Sequence, residues 1–271
     1  MTGPSTLVPP VDAVADCVAA VSHTFAAMVA TMQGWAAALG ARGWPAAGPT
    51  PGQLDLVTRS LVLAELSRPE PTVVGAGFIA RPDWVRGATR YLSWWLGPDN
   101  PIGRGTVPAG SAPVRRLSVD LDPGSDGYRD YTVLEWWRVP AATGRPHITG
   151  PYVDYLCTDE YTLTLTAPVA VRAPGAAPAM IGMVGMDIYV RTVESLLLPR
   201  LLGAGRPATL LNAAGRVVVS TDAHRAAGTV LRFPGLRERL QQPDPTGALP
   251  DGRTLHGCPG TGLTLLLDAV G

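Results

Sequence analysis

Apolar side chains recur at alternating spacings of three and four residues along the first long segment of the chain, residues 11–39. Such spacing places them on one side of a helix and sustains a heptad pattern over about four repeats. Asp12 favours the start of this helix, and Gly40 followed by Pro45 favours its end. At about 1.5 Å per residue the predicted helix is roughly 43 Å long. Its apolar seam consists of Val11, Val14, Val18, Val21, Phe25, Met28, Met32, Trp35 and Leu39.

Two arrangements would bury this seam. It could pair with the same seam of a second copy, giving a homodimer through the N-terminal helix, or it could lie as a spine along the chain's own body. The bulky side chains of Phe25 and Trp35 fit a two-stranded coil poorly, which favours the spine. The two arrangements can coexist.

After this helix the pattern alternates between linkers, helices and strands. Pro82 takes the favoured first turn of one predicted helix, which ends at Trp95. In chain order we predict a Pro/Gly-rich linker at 40–52, a helix at 53–66, a strand at 72–80, the helix that begins at Pro82, a loop at 97–113 and a strand at 115–121.

Four strand-like runs, interrupted by Gly, Pro and Asp, occupy residues 128–190. In the third run, Tyr161–Thr166 alternates between Thr and larger, less polar side chains, which predicts a half-buried antiparallel strand. A helix at 191–202, a hairpin that turns at Asn212–Gly215 and two further strands complete the chain. This order predicts an α+β fold with a long N-terminal helix and linker (1–52), a larger module (53–190) and a smaller module (191–271).

Composition excludes several classes of protein. The 271 residues are 46% hydrophobic and carry no net charge, which disfavours binding to nucleic acid or to an anionic membrane surface. All 22 basic residues are Arg, a bias typical of a GC-rich genome of actinobacterial type. The N-terminal residues lack a signal-peptide pattern, and no stretch reaches the roughly 18 apolar residues of a membrane span. We therefore expect a soluble, cytosolic protein that does not contact a membrane.

The motifs that mark cofactor sites and reaction centres are missing or lack their context. Val73–Ala80 contains G-x-G-x-x-A, but a dinucleotide site needs a helix that starts within the glycines, and here the apolar run continues to Ile79. We interpret these glycines as strand positions where a ring or a backbone packs closely. The four histidines lack metal-ligand spacing, and Cys157 has no paired His that would mark a nucleophile. We therefore predict no metal, no cofactor and no enzymatic activity.

Aromatic rings and acids between the strand positions are the strongest functional signal. Trp136 and Trp137 are adjacent on a presumed strand, so one ring can stack on a ligand while the other fills the core. Tyr152 and Asp154 lie two apart on one face of a strand, and Asp187 ends an apolar run where an unpaired acid would be costly. Two inward acids beside Trp and Tyr rings fit a cation through charge pairing and cation–π attraction. We interpret these five residues as ligand-binding.

The motifs around these residues resemble a double Cache domain, the tandem PAS-like sensor module of bacterial chemoreceptors and sensor kinases. The chain contains a PY-x-D element at Pro151–Asp154, the strand sequence TLTAPV and a G-x-x-G-x-D-I strand that ends at Ile188. The layout is similar over most of residues 11–271. The resemblance implies a long N-terminal helix and two PAS-like modules with antiparallel sheets, of which the larger binds a small-molecule ligand.

In amino-acid-sensing members of this family, an R-x-W-Y motif and other aromatic groups hold the ligand's carboxylate, and two acids hold its ammonium group. The residues that match by position are Trp136, Tyr152, Asp154 and Asp187. The Arg position is Leu134 and the Tyr position is Trp137, so the usual carboxylate anchor is missing unless Arg129 or Arg138 replaces it. This departure favours an amine or a quaternary ammonium compound over an amino-acid-like ligand.

Family members usually carry flanking membrane spans and an output domain, and the sequence indicates neither. The resemblance then implies a free-standing sensor that signals through a partner in trans, such as a transcription factor. Two alternatives stay open. One is a scaffold or dimerisation subunit that binds no ligand, recognisable by an occluded pocket. The other is a cytosolic enzyme that uses Asp154 and Asp187 as acid and base.

Overall fold

The structure is a computed structural model that describes residues 13–98, 100–102, 114–154, 158, 160–172, 175 and 177–269. The described residues form two compact units. One contains the chain up to Phe25 together with the residues from Val193 onward, and the other contains Ala26–Thr192. Each unit holds one antiparallel sheet accompanied by helices. The predicted α+β fold class is therefore confirmed.

Helix α1, Ala13–Gly40, confirms the predicted long N-terminal helix. Much of the predicted seam is buried within the single chain, namely Val21, Phe25, Met32, Trp35 and Leu39. Val14, Val18 and Met28 are half-buried, and Val11 lies outside the described residues. The chain covers most of the seam by itself, as the spine arrangement predicts. Helix α1 is also long and apolar enough to cross a membrane, contrary to the expectation that no segment is.

The unit at Ala26–Thr192 is built around a six-stranded sheet. It contains helices α2 (Pro51–Leu66) and α3 (Glu135–Thr143) and strands β1 (Gly75–Ala80), β2 (Leu92–Leu96), β3 (Arg115–Arg116), β4 (His147–Val153), β5 (Tyr161–Val171) and β6 (Ala179–Tyr189). The strand order is β3-β2-β1-β6-β5-β4, and all paired neighbours are antiparallel. This order places β1 beside β6, although the two strands are far apart in the sequence.

The other unit contains most of helix α4 (Val190–Leu201), and its sheet has the strand order β8-β7-β11-β10-β9. Its remaining elements are β7 (Ala208–Leu211), β8 (Val217–Ser220), α5 (Leu236–Leu240), β9 (Gly247–Ala248), β10 (Thr254–Cys258) and β11 (Leu263–Leu267). The predicted hairpin is β7–β8. The Asn212 side chain accepts the backbone N–H groups of Ala214 and Arg216 at 2.9 Å, and Gly215 has φ 74°, a conformation that favours Gly.

The helix predicted to begin at Pro82 is wrong. Asp83 and Gly87 adopt positive φ angles of 60° and 81°, which interrupt any helix there. The residues that follow form β2, whose backbone pairs with β1 from Leu92 to Leu96. The ladder to β1 overrides the favourable helical position of the proline. The strand predicted at 115–121 is also shorter, since only Arg115–Arg116 pairs with β2.

The first strand-like run, residues 128–140, is helical instead. The Asp130 carboxylate accepts the Thr132 N–H at 2.9 Å and so starts a 3-10 turn at Tyr131–Val133, after which α3 begins. Helix α3 packs across β5, where the Thr166 hydroxyl donates to the Trp136 carbonyl at 2.7 Å. For this reason β5 is buried on both faces between Thr162 and Thr166, and the half-buried strand predicted there is wrong.

Candidate functional site

A row of side chains crosses the sheet of the Ala26–Thr192 unit at its two central strands. Gly75 lies opposite both Leu96 and Asp187, and Asp187 lies opposite Thr164. Paired residues in neighbouring strands project from the same face, so these four positions share one face of the sheet. The row places a carboxylic acid beside a glycine in the middle of a sheet.

The next row on this face is made of small residues under a large ring. Gly77 pairs with both Trp94 and Gly185, and neither glycine has a side chain to fill the space above the sheet. The indole of Trp94 occupies that space, since a Cβ on Gly185 would lie 3.1 Å from its Cη2 atom and a Cβ on Gly75 would lie 2.8 Å from its Nε1 atom. This confirms the interpretation of the glycines as places where a ring or a backbone packs closely, since the Trp94 ring lies at Gly75 and the backbone of Ser93 and Trp94 lies at Gly77.

A cavity of about 590 Å³ lies over this face. Cavities of roughly 300–1,000 Å³ are typical of small-molecule sites. Its lining comes from the sheet face, from the end of β4 and from the segment that leads into α3, and consists of Ile79, Leu92, Trp94, Gly127, Arg129, Leu134, Trp136, Tyr152, Val153, Asp154, Thr164 and Asp187. The scaffold alternative predicts an occluded pocket, whereas the structure has an open cavity here.

The structure brings Trp136, Tyr152, Asp154 and Asp187 to this one cavity, as the sequence predicts. Trp137 is the exception. It does not line the cavity but is buried, with its ring centroid 5.3 Å from that of Tyr131. The ring of Trp136 also stacks on Tyr131, with 6.1 Å between the ring centroids, and Trp136 lines the cavity. The division between a pocket ring and a core ring is as expected, although both residues lie on α3 and not on a strand.

A chain of hydrogen bonds holds Asp187 in place. The Thr164 hydroxyl donates to Asp187 Oδ1 at 2.7 Å, and because its only proton is used there, it accepts from the Tyr152 hydroxyl at 2.6 Å. Asp187 is 1% exposed, and its Oδ2 atom has no hydrogen-bond partner among the described residues. Such an oxygen is costly to bury and is ready to accept a hydrogen bond from a bound molecule.

Burial and a neighbouring acid both change the pKa of Asp187. Burial raises the pKa of Asp187 well above its ordinary value of 3.8, the nearby Asp154 carboxylate raises it further, and the hydrogen bond from Thr164 opposes both effects. Asp154 is itself buried, at 7% exposure. Two acids that share a water-poor site repel each other when both are ionised, and a cation between them removes this penalty.

The positions that would hold a carboxylate differ from the family pattern described above. Leu134 lines the cavity where the Arg would be. Arg129 also lines it, but it is exposed, and its guanidinium donates to the backbone carbonyls of Tyr128 at 2.8 Å and Asp126 at 3.4 Å. Arg138 is exposed and is not part of the lining. A carboxylate anchor buried beside the two acids is thus not found among the described lining residues.

Sequence reasoning missed Trp94 and Thr164. Trp94 was placed on a predicted helix, where its face could not be assigned, and reading Leu92–Leu96 as a strand would have placed it beside the glycines. Thr164 belongs to the alternating run at Tyr161–Thr166, and the half-buried strand predicted there does not identify it as a pocket residue. Cys157 lies outside the described residues. The described residues contain no cluster of His, Cys, Asp and Glu that could hold a metal ion.

No protein-family model and no curated protein matches the chain. The structure is similar to the ligand-binding domain of the Pseudomonas fluorescens chemoreceptor CtaA in complex with L-valine (TM-score 0.56, 16% identity, 96% of this chain and 94% of that chain). It is also similar to the sensory domain of the Campylobacter jejuni chemoreceptor Tlp3 (TM-score 0.57, 11% identity, 94% and 90%). A third similar structure is an extracellular domain ascribed to a histidine kinase, mmHK1S-Z3 (TM-score 0.58, 12% identity, 91% and 88%).

The fold is that of a double Cache sensor domain. The predicted resemblance is confirmed at the level of the fold, which is what similarity at these identities shows. The similar proteins are described as receptors and sensor domains, and no enzyme is among the three.

The expected cytosolic location is wrong. The similar structures include extracellular domains, and helix α1 is long and apolar enough to cross a membrane. The expectation failed because it relied on uninterrupted apolar residues. In α1 the large apolar residues are interspersed with many Ala residues and with a few polar ones such as Ser22, Thr24 and Thr31, which a membrane also accepts.

Proposed function

We propose that the chain is the ligand-binding domain of a sensor and that its ligand is a small organic amine or quaternary ammonium compound. The observation that carries this proposal is the pair of buried acids, Asp154 and Asp187, at one cavity beside the ring of Trp136. A protonated amine or a quaternary ammonium group balances their charge, and the ring face attracts the same cation.

The unpartnered Oδ2 atom of Asp187 supports a ligand that donates a hydrogen bond. Its Oδ1 atom is already held by Thr164, so the carboxylate is oriented before any ligand arrives. A site oriented in advance binds more tightly, because less side-chain freedom is lost on binding. In this proposal the ligand's ammonium group reaches Oδ2 from the cavity and lies between the two acids.

The remainder of the lining supports an apolar body attached to the cation. Ile79, Leu92 and Leu134 contribute aliphatic surface, and the rings of Trp94 and Trp136 contribute aromatic surface. Burial of such surface adds roughly 25 cal/mol per Å² to binding. With Leu134 at the carboxylate position, an amino acid would place its own carboxylate near two acids, and the described lining residues supply no buried cation to balance it. We therefore propose amines ahead of amino acids.

The signal would pass through the packing of the cavity's own unit. Residues 26–40 of helix α1 belong to the same compact unit as the cavity. A ligand that draws α3 towards the sheet stabilises one arrangement of this unit over others, and the helix carries the difference along the chain. We propose an extracytoplasmic location for the cavity, supported by the extracellular domains of similar fold. We also propose that a partner protein receives this signal and that the chain forms a homodimer through α1.

One observation favours the rival function, an enzyme with an acid–base pair. The raised pKa of Asp187 is what a general acid needs. However, Thr164 holds one oxygen of this carboxylate, and the lining residues supply no nucleophile motif. Incubation with a bound amine, followed by mass spectrometry of the small molecule, separates the two functions, because a sensor returns its ligand unchanged.

The primary test is isothermal titration calorimetry with a panel of amines, quaternary ammonium compounds, amino acids and dicarboxylates. We expect saturable binding of amines and weak or undetectable binding of dicarboxylates such as malate. A panel in which malate binds and no amine does would contradict the proposed ligand class.

A further inference from the structure

The indole N–H of Trp94 is a second buried polar group without a partner at the same cavity. Trp94 is 3% exposed, and its Nε1 atom has no hydrogen-bond partner among the described residues. An indole nitrogen only donates, so it needs an acceptor. Buried Trp side chains usually find one, and the absence of one here points to a bound molecule that supplies it.

This donor and the free oxygen of Asp187 flank the same glycine. A Cβ on Gly75 would lie 2.8 Å from Trp94 Nε1 and 3.3 Å from Asp187 Oδ2. Because Gly75 has no side chain, the two atoms approach the same point above its backbone, and both residues line the cavity. One is an uncharged donor and the other is an acceptor, so the pair suits a ligand fragment that carries an acceptor and a donor close together.

We propose that Trp94 binds a neutral oxygen acceptor, most simply a hydroxyl group, next to the ammonium group of the ligand, so that the site selects amino alcohols. The inference rests on the proposed function, since the ammonium group is the one held by Asp187 and Asp154. The ligand's hydroxyl oxygen accepts from Trp94 Nε1–H while its ammonium group donates to Asp187 Oδ2. A small side-chain shift at the base of the cavity admits the two groups.

A carboxylate does not satisfy this arrangement. It would also accept from Trp94, but it would lie beside the ionised Asp187, and no buried cation among the described lining residues offsets the repulsion. The guanidinium of Arg129 is exposed and is engaged with the carbonyls of Asp126 and Tyr128. A plain amine avoids the repulsion but leaves the indole N–H unsatisfied. A neutral acceptor next to the ammonium group satisfies Trp94 Nε1 without repelling the carboxylate of Asp187.

Three ligands with one carbon skeleton test the proposal: leucinol, leucine, and the matching deoxy amine that carries a methyl group in place of the hydroxymethyl group. Each is titrated by calorimetry into the full chain. We expect leucinol to bind about tenfold more tightly than the deoxy amine, since a buried donor gains its acceptor. We expect leucine to bind most weakly of the three.

The variant Trp94→Phe keeps a ring over the two glycines and removes the N–H group. We expect its preference for leucinol over the deoxy amine to disappear. The matched control is Trp95→Phe, which removes the same group from the neighbouring residue, whose side chain does not line the cavity. We expect this control to keep the preference.

The outcomes separate the inference from the proposed function. If leucinol and the deoxy amine bind equally to the unaltered chain, the ligand's hydroxyl group does not accept a hydrogen bond from Trp94 Nε1–H. The inference is then overturned, while the proposed amine site is unaffected. Tightest binding of leucine also overturns it, since a carboxylate is then accepted. If none of the three binds and the amine panel is negative as well, the proposed function itself is overturned. These measurements need no variant, so they hold even if Trp94→Phe does not fold.

Discussion

Replacement of Asp187 by Asn tests the charge at the centre of the cavity. Asn has nearly the same shape, and its amide oxygen can still accept the hydrogen bond that Thr164 donates to Oδ1. The substitution therefore removes the negative charge and the free acceptor oxygen while keeping the local geometry. A hydrogen bond to a charged group contributes about 1.5–3 kcal/mol. This corresponds to a loss of amine affinity of roughly 10- to 150-fold.

The same substitution has the opposite consequence for the ligand-free protein. Burial and the Asp154 carboxylate disfavour the ionised form of Asp187 and raise its pKa. Removing the charge relieves both effects, so we expect no loss in the free energy of unfolding at neutral pH. Weakened binding without weakened folding is the signature that distinguishes a ligand contact from a structural role.

The assay combines calorimetric titration of an amine with urea unfolding of the ligand-free chain. The matched control is Glu160→Gln, which removes a carboxylate from the same unit at a half-exposed position outside the cavity, where Glu160 pairs with Arg191. We expect the control to bind amine within about twofold of the unaltered chain, because surface charges contribute little. Amine affinity that is unchanged in Asp187→Asn would refute the reasoning.

Further predictions concern pH, the aromatic ring and the long helix. Because folding raises the pKa of Asp187, the folded state retains a proton that the unfolded state loses. The contribution of Asp187 to the unfolding free energy should therefore fall as pH rises above 3.8, measured as the difference in melting between the unaltered chain and Asp187→Asn, and amine affinity should rise over the same range in titrations across pH. Trp136→Ala should weaken amine binding about five- to thirtyfold, the range of a cation–π contact, with the buried Trp137 left unaltered as an internal reference. Phe25→Ala should cost roughly 3–5 kcal/mol of stability, because Phe25 is 0% exposed in the single chain. A folded monomer with an unchanged unfolding midpoint would instead make the α1 seam intermolecular, as sedimentation would show.

Local patterns in the sequence were sufficient to predict elements that bury one face and turns that contain characteristic residues. The three-and-four spacing predicted α1, and the side-chain chemistry of Asn212 together with Gly215 predicted the β7–β8 turn. The PY-x-D element and the acid after the apolar run drew attention to Asp154 and Asp187, because burying an acid is costly unless it has a partner. The glycines at 75 and 77 indicated close packing, and the structure shows the Trp94 ring at Gly75 and the backbone of β2 at Gly77.

Pairing between distant strands decided the rest. Leu92–Leu96 carries no signal that distinguishes a helix from a strand, and it is the ladder to β1 that makes it a strand. The same ladder carries the ring of Trp94 over Gly75 and Gly185 and places its donor near Asp187, a residue 93 positions along the chain. The sequence alone thus determined which residues carry charge and rings and which helix spans the N-terminal segment. Only the tertiary structure decided which of them share a cavity, because sheet register couples positions that no local pattern relates.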